Sequence, residues 1–151
     1  MLEDIAFRNA TMDDGVMLHR WRNDEATRAA SHSTSEVDLE GHLRWLASTL
    51  ENPSRTLLIA EIEGVPVGTV RADEDPKGTE LSWTVAPEAR GLGVAKRMVK
   101  AVMRLVSGPI TAEVKKSNGA SIAVAVFSGM TQENEVDGVI HFSGIGLRVI
   151  D

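Results

Sequence analysis

The residues best suited to chemistry lie in the stretch RGLGVAKR, residues 90–97. Gly91 and Gly93 permit backbone angles that other residues disfavour, and they let a ligand approach the main chain closely. The pattern that follows predicts a helix from about Val94, whose first N–H groups lack intrahelical partners and carry the positive end of the helix dipole. Positive charge comes from Arg90, Lys96 and Arg97. Together these features predict an anion site suited to a diphosphate.

Two other interpretations of this glycine turn stay open. One is an ordinary strand-to-helix connection surrounded by solvated basic side chains. The other is a dinucleotide-binding loop, which requires a third glycine and an acidic residue about twenty positions later. The third glycine position is Lys96, and the next predicted strand lies beyond a long helix, so the dinucleotide loop is disfavoured.

The composition is that of a soluble globular domain, and it excludes several kinds of site. The chain has 151 residues, 42% of them hydrophobic and 25% charged, which favours a single domain over residues 1–151. Cysteine is absent, so disulfides, thiolate zinc sites and a cysteine nucleophile are excluded. The four histidines show no i,i+4 pairing, and we expect no metal site.

Charge and hydropathy also restrict the partners and the location. The net charge of −6 argues against a nucleic-acid partner. The N-terminus lacks the pattern of a signal peptide, and the longest apolar run is too short to span a bilayer. We therefore expect a cytoplasmic protein with no membrane partner.

Apolar patterns predict two helices in the N-terminal part of the chain. DIAFRN is a short strand, MDDGVMLHRW is a helix capped by Thr11, and STSEVDLEGHLRWLASTLEN contains a second helix. In the second helix, Ser35 and Asp38 resemble a capping box. Its apolar stripe consists of Leu39, Leu43, Leu46 and Leu50.

The middle of the chain predicts strands on both sides of the glycine turn. TLLIAEIEGVPVGTVRA indicates a β-hairpin around Glu63-Gly64, PKG indicates a turn, and TELSWTVA alternates between an apolar face and a polar face that carries Glu80. The helix after the glycine turn, with Val94, Met98, Val102 and Leu105 on one side, would end at Gly108-Pro109. ITAEV is the next strand, and VIHFSGIGLRVI is a late strand preceded by the turn-like NEVDG.

The segment SIAVAVF is ambiguous. It alternates like a strand, yet Asn118 before it and Gly129 after it resemble helix caps. The pattern alone leaves helix and strand open. The mixed order of elements favours an α+β fold with a largely antiparallel sheet.

The glycine turn and the segments around it resemble the GCN5-related N-acetyltransferase family, which uses acetyl-CoA. The pyrophosphate loop of that family, Arg/Gln-x-x-Gly-x-Gly/Ala, is matched by Arg90, Gly93 and Ala95, and the Val-x-Pro common upstream is present at residues 85–87. The family often continues with an asparagine, a small residue three later and a glycine eleven later, matched by Asn118, Ser121 and Gly129. The resemblance covers nearly the whole chain and is tightest over residues 80–130.

The resemblance implies a twisted, mixed but largely antiparallel sheet of about six to seven strands flanked by about four helices, with a splay between the fourth and fifth strands. It also implies that SIAVAVF is a helix and that acetyl-CoA lies in the splay. The implied cofactor-binding residues are Trp83, Thr84 and Val85 for the pantetheine arm, Arg90, Gly91, Leu92, Gly93, Val94, Ala95 and Lys96 for the pyrophosphate, and Asn118 and Ser121 beyond them.

Acetyl transfer needs a neutral amine, and a carboxylate can accept the amine proton directly or through water. Many relatives place a glutamate five residues before the asparagine, and that residue here is Glu113, the first candidate for the catalytic base. Glu80, on the polar face of its predicted strand, is the second candidate. By family analogy, a backbone N–H near Val85 would stabilise the thioester oxygen.

The chain departs from the family at the position of the general acid. Many relatives protonate the leaving thiolate with a tyrosine at the position of Ala125, and this chain contains no tyrosine. A thiol with a pKa near ~8.5 leaves tolerably without one, and water or Ser121 could donate a proton. We expect an active N-acetyltransferase that relies on proximity. The alternatives are an acyl-CoA-binding sensor or scaffold with little or no turnover, and a small nucleotide-binding regulator.

In this family the N-terminal helices usually shape the acceptor pocket. The segments LHRWRNDEATRAASHST and EGHLRWL resemble the subgroup that includes nucleotide-sugar amine and ribosomal-protein acetyltransferases. The candidate acceptor-binding residues are Trp21, Arg22, Asn23, His32, His42 and Trp45. The expected acceptor is a primary amine of a small molecule, an amino sugar nucleotide or a protein N-terminus, bound by a monomer or homodimer.

Overall fold

The computed structural model describes residues 4–149, and within them seven strands form one sheet. The strands are Ala6–Asn9 (β1), Arg55–Ile62 (β2), Val65–Asp75 (β3), Gly78–Val85 (β4), Ser107–Lys115 (β5), Thr131–Val136 (β6) and Val139–Leu147 (β7). Their order across the sheet is β1-β2-β3-β4-β5-β7-β6. All neighbouring pairs are antiparallel except β4 and β5, which run parallel. The expected α+β fold with a largely antiparallel sheet is confirmed.

Strands β4 and β5 are joined at one end only. Their register contains two pairs, Thr79 with Ile110 and Glu80 with Thr111. Beyond Glu80, β4 keeps its partner β3 as far as Val85, while β5 pairs with β7 along its whole length. The predicted splay between the fourth and fifth strands is confirmed, and it opens a gap in the middle of the sheet.

Two hairpins in the sheet use the same kind of turn. Glu63-Gly64 joins β2 to β3 and Asp137-Gly138 joins β6 to β7, and all four residues have positive φ. Paired positive φ angles define the type I′ turn that suits the twist of antiparallel strands. The first turn is the predicted one. The second is narrower than the expected NEVDG turn, because residues 134–136 pair with β7.

Five α-helices lie within residues 4–149, with short 3-10 turns at Met12–Asp14 and Pro87–Ala89. The helices are Gly15–Asn23 (α1), Glu25–Ala30 (α2), Leu39–Glu51 (α3), Val94–Met103 (α4) and Gly119–Phe127 (α5). The short α2 is an addition to the expected helices. None of the helices in this part of the chain is long and apolar enough to cross a membrane.

Thr11 caps the first helical segment as predicted, although the first turn is 3-10 and α1 begins only at Gly15. The Asp14 carboxylate accepts the Thr11 N–H at 2.8 Å and two bonds from the Arg8 guanidinium at 2.7 and 2.9 Å. Arg8 also donates to Glu61 at 2.9 Å. The hydrogen bond from Arg8 is the main cause that lowers the pKa of Asp14. This network ties the start of α1 to β1 and β2.

The predicted start of α3 needs correction. Ser35 and Asp38 do not form a capping box, because Asp38 is itself the N-cap residue and makes no side-chain bond there. Leu46 in the predicted stripe is fully buried, whereas Leu39 and Leu50 are exposed at the two ends of the helix.

Helix α4 buries most of its predicted stripe, namely Val94, Met98 and Val102. It ends at Met103, earlier than predicted, and Leu105 lies beyond it with its side chain exposed. The predicted stop at Gly108-Pro109 is wrong, because both residues belong to β5 and pair with β7.

The ambiguous segment SIAVAVF is part of a helix, α5, as the family resemblance implied. Its cap is Asn118, whose side-chain oxygen accepts the Ser121 N–H at 3.1 Å. The segment alternates like a strand because it is apolar on several faces, and only Val124 and Ala125 are fully buried. The ammonium groups of Lys96 and Lys100 lie over the half-exposed Phe127 ring, 5.4 and 4.9 Å from its centroid.

Candidate active site

A cleft of about 1180 Å³ opens where β4 and β5 separate. One part of its wall comes from α1, α2, the loop that follows α2, and α3. A second part comes from β2 to β5, and a third from the glycine turn with the first residues of α4 and α5. Residues predicted for the donor and residues predicted for the acceptor therefore line the same opening.

The glycine turn presents its backbone to this cleft. Gly91 and Gly93 have φ angles of +77° and +72°, a region in which other residues are strained. A Cβ atom added to either glycine would meet no atom within 4 Å, so the space beside them is open. Gly93 is the N-cap of α4 and supplies no side-chain cap, which leaves the first N–H groups of α4 without a side-chain partner. This geometry fits the diphosphate of coenzyme A.

Nearly all the predicted donor-binding residues line the cleft. They are Trp83, Thr84, Val85, Arg90, Gly91, Gly93, Val94, Ala95, Lys96, Asn118 and Ser121. Leu92 differs, because it is exposed at the tip of the turn and does not line the cleft.

Arg90 also connects the glycine turn to α2. Its guanidinium donates to the Asp24 carboxylate and, at 3.1 Å, to the Thr27 hydroxyl. The hydrogen bond from Arg90 is the main cause that lowers the pKa of Asp24. The glycine turn and the α2 wall of the cleft are thus bonded to each other.

Two carboxyl groups meet at the point where the strands part. Glu80 belongs to the last β4–β5 pair, and Glu113 lies on β5 two residues beyond its partner Thr111, on the same face of the sheet. The pKa of Glu80 is raised by burial first, and then by the hydrogen bond and the charge of Glu113. Glu113 lines the cleft, whereas Glu80 is not among the residues of the lining. Burial and the neighbouring carboxylate thus both favour the protonated form of Glu80.

His141 adds a third titratable group to this cluster. It lies opposite Glu113 in the β5–β7 register, with its Nε2 atom 3.7 Å from Glu113 Oε1. His141 could not be assigned to this cluster from the sequence, because its place beside Glu113 depends on the pairing of strands separated by α5 and β6.

The predicted acceptor residues divide into two groups. Arg22, His32, His42 and Trp45 line the cleft. Trp21 is 2% exposed and packs in the core instead. Asn23 lies outside the lining, and its side chain bonds both the N–H and the carbonyl of Val37 at 2.7 Å, which holds the loop after α2 in place.

Ala125, at the position of the family tyrosine, is fully buried. In residues 4–149, no cluster of three or more His, Asp or Glu side chains is arranged to hold a metal ion.

Comparisons with known proteins agree with this geometry. A family model described as the acetyltransferase (GNAT) family matches residues 16–128. A sequence comparison with curated proteins gave no match.

Several solved structures share the fold. An aminoglycoside acetyltransferase in complex with coenzyme A and kanamycin has a TM-score of 0.81 and 21% identity, over 94% of this chain and 95% of that chain. Spermidine N-acetyltransferase from Vibrio cholerae, in complex with coenzyme A and spermine, has a TM-score of 0.82 and 13% identity, over 95% and 96% of the two chains. The ribosomal-protein alpha-N-acetyltransferase RimL, in complex with coenzyme A, has a TM-score of 0.80 and 14% identity, over 95% of each chain. Because the family match extends from α1 to the end of α5, the chain belongs to the GNAT family of acetyl-CoA-dependent acetyltransferases.

Proposed function

We propose that this chain transfers the acetyl group of acetyl-CoA to a primary amine by direct attack in a ternary complex. The observation that carries the proposal is the Glu80–Glu113 pair, since a proton-accepting group then faces the same cleft as the glycine turn. The acceptor is an amine of a small molecule, an amino sugar nucleotide or a protein N-terminus.

Acetyl-CoA supplies an activated acetyl carbon, and the chain supplies the groups that hold it. The backbone of Gly91 to Lys96 binds the diphosphate through free N–H groups at the start of α4. The backbone groups of Trp83 to Val85 that face the splay bond the pantetheine arm, since β5 has diverged from β4 there. These contacts orient the acetyl group toward Glu113.

Glu113 acts as the base, and Glu80 supports it. Removing the proton of a lysine-like amine at pH 7 costs about 4–5 kcal/mol, and removing that of an α-amine costs about 1 kcal/mol. The amine nitrogen bonds to the acetyl carbon as the carbon–sulfur bond breaks, and its proton passes to the carboxyl pair, directly or through water. The sulfur leaves as thiolate or takes a proton from water or Ser121, whose side chain lies at the cleft.

The test is coenzyme A release across a panel of amines, measured with a thiol-trapping reagent. Glu113→Gln should lower kcat/KM about 100- to 10,000-fold, because general base catalysis contributes an effect of that size. Glu80→Gln should cause a smaller loss, and calorimetry should find coenzyme A affinity unchanged in both variants. Glu135→Gln is the matched control, since Glu135 on β6 pairs with Lys116 and is absent from the cleft lining.

Full rate in both cleft variants would exclude the carboxyl pair as the base. Binding of coenzyme A without release on any amine would favour the acyl-CoA sensor, for which the absent tyrosine and the buried Ala125 are the specific support.

A further inference from the structure

Two buried nitrogen atoms at the acceptor end of the cleft have no hydrogen-bond partner. They are one guanidinium nitrogen of Arg22, Nη1, and the ring Nε2 of His42. Both side chains line the cleft, and His42 is only 5% exposed. A buried polar atom without a partner is uncommon and costs free energy. Because both side chains line the same cleft, these two atoms indicate where a polar group of a ligand would find unused hydrogen-bonding groups.

The charge of Arg22 is also uncompensated. Its other terminal nitrogen donates to the Ser33 carbonyl at 2.8 Å, but no carboxylate among residues 4–149 forms an ion pair with it. Burial is the main cause that lowers the pKa of Arg22, and the like charge of Arg28 adds to the effect. Arg20, two positions away on the same helix, instead pairs with Glu88 at 2.6 Å. The missing partner of Arg22 is therefore an anion.

The lining of the cleft is positively charged as a whole, although the chain carries a net charge of −6. In the described part of the chain, one carboxylate, that of Glu113, lines the cleft, against the cationic side chains of Arg22, Arg71, Arg90, Lys96 and Lys115. Arg71 pairs with Asp73, and Arg90 pairs with Asp24. Lys96 belongs to the glycine turn, where the diphosphate supplies negative charge. The positive charge that remains for an acceptor is that of Arg22, with Lys115 beside Glu113.

The last turn of α2 and the loop after it connect the Arg22 end of the pocket to the Glu113 end. Ser33 in this loop receives the hydrogen bond from Arg22. Lys115, two residues from Glu113, donates to the Ala29 carbonyl at 3.0 Å. A small acceptor lying along residues 29–33 would thus meet the carboxyl pair at one end and Arg22 at the other.

Building on the proposed acetyl transfer, we infer that the acceptor carries an anionic oxygen group, a carboxylate or a phosphate, in addition to its primary amine, and that Arg22 and His42 bind that group. Burial, followed by the charges of His19 and Arg22, lowers the pKa of His42, so its ring is neutral at pH 7. In the tautomer with hydrogen on Nε2, His42 donates to one oxygen while Arg22 supplies the charge. This acceptor class differs from that of polycationic amines.

The experiment uses pairs of amines that differ by one anionic group. Leucine is compared with leucinamide, and glucosamine 6-phosphate with glucosamine, with spermidine as the cationic reference. In the wild type, kcat/KM for at least one anionic member should exceed that of its uncharged partner by about 10-fold or more, since hydrogen bonds to charged groups have effects of this size. The leucine pair tests a carboxylate, and the glucosamine pair tests a phosphate.

Variants then assign the preference to Arg22. Arg22→Gln should abolish it, mainly through a higher KM for the anionic acceptor, and Arg22→Lys should restore part of it. Arg20→Gln removes the same charge from the same helix outside the cleft and should keep the preference. Thermal unfolding of Arg22→Gln should stay near that of the wild type, because the lost guanidinium has no carboxylate partner among residues 4–149.

Faster acetylation of the uncharged members or of spermidine would overturn this inference, as would an anionic preference that survives Arg22→Gln. Lack of reaction with both anionic amines, while calorimetry shows coenzyme A bound, would overturn it too. Those outcomes would not contradict the proposed coenzyme A site, whereas failure to bind coenzyme A would contradict the proposed function itself.

Discussion

The two ends of the cleft differ in whether main-chain or side-chain groups line them. The end proposed to bind the donor is mostly main chain, with Gly91 and Gly93 at positive φ and the backbone of β4 facing the splay. The end proposed to bind the acceptor is made of side chains, among them Arg22 and His42 from two helices and Glu113 from β5. A site made of backbone depends on a few residues that allow one conformation. A site made of side chains depends on how distant elements pack, and a single substitution can change what it binds.

The largest effect that separates the two ends should come from Gly93→Leu. A side chain at this position is strained by about 1–2 kcal/mol and occupies the open space beside the turn. We expect the Kd for coenzyme A, measured by calorimetry, to rise about 100-fold, or about 2.7 kcal/mol. Gly64→Leu is the matched control, because Gly64 has φ +78° and equally open surroundings at the β2–β3 turn. An equal loss of affinity in both variants would mean that strain, and not the diphosphate contact, is responsible.

A smaller effect should follow from Asp14→Asn, which disrupts the network that ties the start of α1, the helix of Arg22, to β1 and β2. Asp14 is buried and receives two bonds from Arg8, so the free energy of unfolding should fall by about 2 kcal/mol. Because the pKa of Asp14 is lowered in the fold, its contribution is present above pH 3.8 and is lost as the pH falls below that value. Denaturant unfolding at several pH values measures both effects.

The exposed neighbour Asp13 provides the control for this experiment, since Asp13→Asn makes the same chemical change without an ion pair. We expect Asp14→Asn to keep its coenzyme A affinity. A loss of that affinity would show that the two ends are not independent.

The smallest effect concerns the pH dependence of kcat/KM. The pair must be ionised to accept a proton, and the pKa of Glu80 is raised above 4.5, so activity should fall on the acid side at a pH higher than an isolated glutamate would give. Glu80→Gln removes the carboxyl group whose pKa is raised, and it should move the acid side of the pH–activity profile to lower pH. The same acceptor is used for both proteins, so that its own titration cancels. If the acid side of the profile stayed at the same pH, Glu80 would have no part in the acid–base chemistry.

The parts of the protein that the sequence predicts well are those with local causes. Glu63-Gly64 marks a hairpin because few pairs accept two positive φ angles, and Asn118 marks a helix start because its side chain caps a nearby N–H. The glycine turn belongs to the same class. The SIAVAVF segment shows the limit, because its alternation pointed to a strand as readily as to a helix.

The parts that the sequence could not predict depend on long-range pairing. Glu80, Glu113 and His141 come together only through the register of three strands. Arg22 could be suggested as an acceptor residue, but its lack of a carboxylate partner is visible only once α1, α3 and the loop after α2 are packed. Gly108-Pro109 resembles a helix end in the sequence, but its pairing with β7 places it in a strand.

The single-ended junction of β4 and β5 has a consequence for the dynamics of the sheet. Along β5, amides alternate in direction, and those toward β7 lie in a continuous ladder while most of those toward β4 do not. Along β5, hydrogen exchange should therefore be slow for the amides that point toward β7 and fast for most of those that point toward β4. Such alternation is otherwise typical of a strand at the edge of a sheet. The side of β5 that faces β4 thus behaves like a sheet edge although it lies inside the sheet. Coenzyme A binding should slow the exchange of the amides on this side first.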